Sequence, residues 1–128
     1  MNDNQNITSI EGFFDKLLGT SVSAQKFMGR IPSTIKDSWN DLVLVDTSYS
    51  NDFDAYGYAM VYVCLYSRPL SDGSKNGKNL KRMTVALNEL VRNSRSKTYK
   101  IERRSTFPDF DKELNWHYDV VEIKVIIL

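Results

Sequence analysis

The side chains suited to proton transfer or metal binding are few, and most lie near the end of the chain. His117, the only histidine, stands two residues before Asp119, so in an extended segment the imidazole and the carboxylate share one face. That is the chemistry of an oriented base, but the pair lies beside Trp116 and Tyr118 at the start of an apolar run, where a structural imidazole is the better reading. Asp109, Asp111 and Glu113 offer the oxygens that a divalent cation takes, without the spacing or central glycine of an EF-hand, and a solvated loop is expected. Cys64 is the single cysteine; it cannot form an intramolecular disulfide, and its apolar surroundings predict a small buried hydrophobe rather than a nucleophile. The chain contains no glycine-rich phosphate loop, paired-cysteine pattern, His-Glu-x-x-His segment or nucleophile elbow. No catalytic residue, cofactor site or metal site is assigned, and the expectation is that the protein is not an enzyme.

Binding chemistry is better supplied. In a strand over residues 55–67 the side chains divide into a small aliphatic face (Ala55, Gly57, Ala59, Val61, Val63, Leu65) and a face of Tyr56, Tyr58, Met60, Tyr62, Cys64 and Tyr66. Rings with polar tips suit a second internal layer or a surface shared with a partner; partial use against neighbouring subunits is the favoured reading. Charge is segregated. Between Lys75 and Arg104 there are 10 basic residues against Glu89 and Glu102, while the rest of the chain holds 7 basic and 14 acidic residues, for a net charge of +1. Such a chain can bind a polyanion through its basic segment, or join copies of itself through opposite surfaces. On charge alone, Lys75, Lys78, Lys81, Arg82, Arg103 and Arg104 form the basic side of an interface, with Asp52, Asp54, Asp109 and Asp111 as acidic counterparts. Tyr99 and Phe107 would stack on bases in a nucleic-acid-binding alternative, although no RNP-like pattern is present.

The elements that would carry these residues follow from periodicity. Ile10, Phe13, Phe14, Leu17 and Leu18 mark a short helix capped by Thr8 or Ser9 and stopped by Gly19. Residues 20–38 show no regular spacing and contain Pro32, so loop with some extended pieces is expected there. Leu42 to Val45, bounded by Asp41 and Asp46, reads as a buried strand that pairs antiparallel with the tyrosine strand. Leu80, Met83, Leu87, Leu90 and Val91 define a helix from Lys78 to about Arg92, whose stripe should cover the aliphatic face of that strand. Its first turn carries cations at the end where the macrodipole disfavours them. Residues 99–104 alternate as a half-exposed strand, Pro108 and Asp109 mark a turn region, and residues 116–128 form a last apolar strand. The expected fold is α+β, an antiparallel sheet of about four strands with helices on one face, in the order α-β-β-α-β-β.

At 128 residues, 41% hydrophobic and 26% charged, the chain has the size and composition of one soluble domain over 1–128, with 1–8 flexible. The polar start lacks a secretory pattern and no stretch is apolar enough to span a membrane, so an intracellular origin is expected.

The order of a short apolar strand, a polar loop, a long strand ending in Tyr66-Ser67-Arg68, a loop into an amphipathic helix, and a closing hairpin with Trp116-His117-Tyr118 before Val120 to Ile127 resembles the tail-terminator or tail-completion proteins of long-tailed bacteriophages. The resemblance covers roughly residues 40–128. It implies a small α+β structural protein that forms a homo-oligomeric ring, commonly a hexamer, caps the tail tube and joins it to the head or neck. The implied partners are copies of itself and tail-tube and neck or head-completion proteins, without membrane, and without nucleic acid other than DNA passing through the ring. The implied location is the virion tail or neck, and the host cytoplasm during assembly. A head-completion or neck connector protein is the related alternative, and a small nucleic-acid-binding accessory protein the alternative from a different class.

Overall fold

The computed structural model describes residues 3–19, 24–47 and 58–128. Helix α1 (Asp3–Leu18) is followed by strands β1 (Gln25–Met28), β2 (Asp41–Asp46) and β3 (Tyr58–Ser67), helix α2 (Gly77–Arg92), and strands β4 (Tyr99–Asp111) and β5 (Trp116–Ile127). The five strands form one sheet in the order β1-β2-β3-β5-β4. The expected sheet of about four antiparallel strands in the order α-β-β-α-β-β is therefore wrong by one strand and one direction: β1 lies parallel to β2, pairing Phe27 with Leu44. Four residues, with Phe27 and Met28 packed on opposite sides of the sheet, are too few to show alternation against the irregular spacing around them. A parallel neighbour needs a crossover of about a dozen residues, and residues 29–40 provide it without a helix. At its start Gly29 takes φ +89°, a left-handed turn that a side chain would strain, while its N–H donates to the Val45 carbonyl at 2.9 Å.

The central pairings agree with the periodicity. β2 and β3 are antiparallel, with Val43 opposite Leu65 and Val45 opposite Val63, and β5 pairs along the whole of β3. Both helices lie on the aliphatic side. Ile10, Phe14 and Leu18 of α1 and Met83, Leu87 and Val91 of α2 close over Val61, Val63, Leu65, Val121, Ile123 and Val125 in one apolar cluster. Burying each such side chain stabilises by roughly 1.5–3 kcal/mol, which makes this layer the main source of cohesion. Helix α1 begins at Asp3, so Thr8 and Ser9 lie within it rather than capping it; it ends as expected at Gly19, φ +46°, whose N–H returns to the Asp15 carbonyl at 3.1 Å. Among the described residues no helix is long and apolar enough to cross a membrane.

A second correction concerns Pro108 and Asp109. They lie inside β4, which runs on to Asp111, and the turn falls at residues 112–115, where Asn115 takes φ 60°. Proline reads as a turn signal because it lacks an N–H, but an edge strand has an unpaired side on which a missing donor costs nothing. β4 is such an edge.

Candidate interaction surface

The tyrosine face of the sheet is covered in part by the crossover. Ile31, Ile35 and Trp39 pack against Leu42, Cys64, Tyr66, Trp116 and Val120. Arg68 holds the crossover down: its Nε and Nη2 donate to the Trp39 carbonyl at 3.0 and 2.8 Å and Nη2 to the Lys36 carbonyl at 3.1 Å, while the guanidinium lies 4.9 Å from the Trp116 ring centre. Nothing in the spacing around Arg68 announces this role, because its partners are backbone carbonyls about thirty residues earlier. Tyr66 is consequently 4% exposed, its ring stacked on Tyr118 at 4.3 Å, and its surface is spent inside the fold. Tyr58 and Tyr62 are half-buried, Tyr58 beneath the Lys124 ammonium at 4.5 Å. Tyr56, Asp52 and Asp54 lie outside the described residues.

The two predicted acids of β4 are tied to this stack. Tyr118 donates to Asp109 Oδ2 at 3.0 Å and Tyr66 to Asp111 Oδ2 at 3.4 Å, and Asp111 Oδ1 accepts the Glu113 and Leu114 N–H groups, both at 3.0 Å, to close the hairpin turn. Burial, with the Asp109 carboxylate, pushes the Tyr118 phenol up to about 12, and burial beside Cys64, Tyr118 and Asp111 raises the Tyr66 phenol as well. Burial also raises the Cys64 thiol to about 12, so thiolate chemistry is suppressed there. His117 packs its ring against Phe110 at 4.8 Å. Among the described residues no group of three His, Cys, Asp or Glu side chains converges as a metal site would require.

The predicted basic side divides into two patches at opposite ends of α2. Lys75, Lys78 and Lys81 are exposed near its start, where Asn76 caps the helix by accepting the Asn79 N–H. Arg82 is exposed too but engaged: it pairs with Asp41 at 2.5 Å, and Asn79 donates to Asp41 and to the buried Ser67 at 2.5 and 2.8 Å. Beyond the other end of α2, Arg92, Arg95, Lys100 and Arg103 line a groove of about 820 Å³ over Val91, Tyr99 and Ile101, with Glu102 as the one acid in its wall. Arg104 is exposed beside it, 4.0 Å from Glu102.

The distal half of β4 is open on both faces. All of residues 103–110 are exposed, although strand alternation would hide every second one in a covered sheet, and Phe107 and Phe110 are 43% and 40% exposed on opposite faces. A register shift between Arg103 and Thr106 marks where this half departs from the covered part. Comparison of the chain with protein-family models and with characterised proteins gives no match.

Proposed function

We propose that this protein is a structural assembly component that associates head to tail with copies of itself into a ring, in the manner of phage tail-terminator or tail-completion proteins, and that it caps a tail tube and joins it to the head or neck. The observation that carries this reading is the distal half of β4, an edge strand whose residues 103–110, among them Phe107, Asp109 and Phe110, are all exposed. A second observation supports it. The cationic groove beyond the end of α2 and the acids beside exposed rings in distal β4 make a surface pair that differs in kind, as a heterologous, ring-closing contact requires. The tail-joining role rests on the order of elements from Leu42 onward, and a neck connector would use the same kind of contact.

Molar mass in solution, measured by light scattering from low to high salt, tests the assembly. A ring-sized mass at low salt that falls as salt rises is expected, because exposed charge pairs are screened beyond about 10 Å at 0.1 M. A strict monomer at high concentration and low salt would overturn self-association. Lys78→Glu combined with Lys81→Glu reports on the patch at the start of α2: unchanged mass and unchanged tail joining would remove that patch from the interface.

A further inference from the structure

The groove and the hairpin tip lie at opposite ends of the same strand. Tyr99 to Arg103 line the groove, and Phe107 to Asp111 lead into the tip, so at about 3.3 Å per residue their centres, Ile101 and Asp109, lie roughly 26 Å apart along one strand and do not meet within one molecule. Resting on the self-association proposed above, we infer that the β4–β5 hairpin tip of one copy seats in the cationic groove between α2 and β4 of the next copy. Charge is complementary: Arg95 and Arg103, with Arg92 and Lys100 that also pair with Glu89 and Glu102, stand against Asp109, Asp111 and Glu113. Shape and polarity agree as well. The groove has an apolar floor of Val91, Tyr99 and Ile101, while the tip offers Phe107 and Phe110, which stay 43% and 40% exposed in the single chain. Rings beside carboxylates match both the apolar floor and the cationic wall, whereas a phosphate backbone would meet only the cations; a second copy is therefore a better occupant than a nucleic acid. Because tip and groove are different surfaces, the contact repeats around a ring or along a filament.

Charge exchange tests the contact. A tip variant (Asp109→Lys with Glu113→Lys) and a groove variant (Lys100→Glu with Arg103→Glu) are each expected to self-associate at least about tenfold more weakly than the native chain. Mixed in equal amounts they should associate again, since each reversed surface then meets its opposite on the other variant. That recovery also shows that both variants are folded. Phe107→Ser is a separate test of the apolar part and should weaken association without altering its salt dependence. If the native chain associates and both variants match it, the contact is wrong while the assembly reading stands. If neither the native chain nor the mixture associates, both fall. If the groove variant still self-associates but loses a steeply salt-dependent affinity for duplex DNA shown by the native chain, the groove belongs to a polyanion and the inference is overturned.

Discussion

Tyr66 and Tyr118 are the residues on which the fold and the proposed interface meet. Their stacked rings belong to the covered part of the outer face, and their hydroxyls reach Asp111 and Asp109 in the strand that leads to the tip. Both phenols ionise less readily in the fold than the ordinary value of 10.0. In the unfolded chain they ionise first as pH rises, so this contribution to stability is complete below about pH 10 and is lost as pH climbs toward 12 and beyond. Thermal unfolding midpoints across that range should fall more steeply for the native chain than for Tyr118→Phe, which removes one of the two titrating groups; equal slopes would show that Tyr118 is not shifted. The sequence made Tyr66 visible as one of a row of rings, but neither its stacking on Tyr118 nor the carboxylate partners of the two. Tyr66 and Asp111 are 45 positions apart, and only the pairing of β3, β5 and β4 brings them together.

At the scale of elements, the start of α2 is tied to the sheet by a polar cluster, while Lys78 in its first turn stays exposed. Cations in a first turn oppose the helix dipole. Arg82, one turn further on, meets Asp41 at the start of β2, and Asn79 ties Asp41 to Ser67 at the end of β3. Helix and sheet are thereby joined by a polar cluster at one end and by Met83, Leu87 and Val91 along the rest. Asn79→Ala leaves a half-buried carboxylate and a buried hydroxyl short of a donor, and should cost about 1–3 kcal/mol in urea unfolding with an unchanged slope. Lys81→Ala, on the exposed face of the same helix, should stay within about 0.5 kcal/mol, and equal losses for the two would refute the role of the cluster. Helix α2 was legible because buried positions three and four apart recur through it. β1 was not, because its stability comes from β2 and from the crossover above it rather than from its own residues.

For the whole molecule, the sheet is covered on one face by two helices and on the other by the crossover and the base of the hairpin, and the distal edge of β4 is left uncovered. Stability should follow that division. In the dissociated protein, amides of residues 104–110 are expected to exchange with deuterium well before those of residues 61–65 and 121–125, and to become protected on association. Equal protection in the dissociated chain would mean that the distal hairpin is held as firmly as the core. Composition and local spacing by themselves determined the helix stripes, the strands β2, β3 and β5, the aliphatic and tyrosine faces, and the charge segregation, because each depends on neighbours within a few residues. Only the tertiary structure decided what covers the tyrosine face and how far, that the basic segment divides between the ends of α2, and that Pro108 lies in an edge strand rather than a turn. Those outcomes depend on contacts between residues tens of positions apart, whose geometry no local pattern encodes.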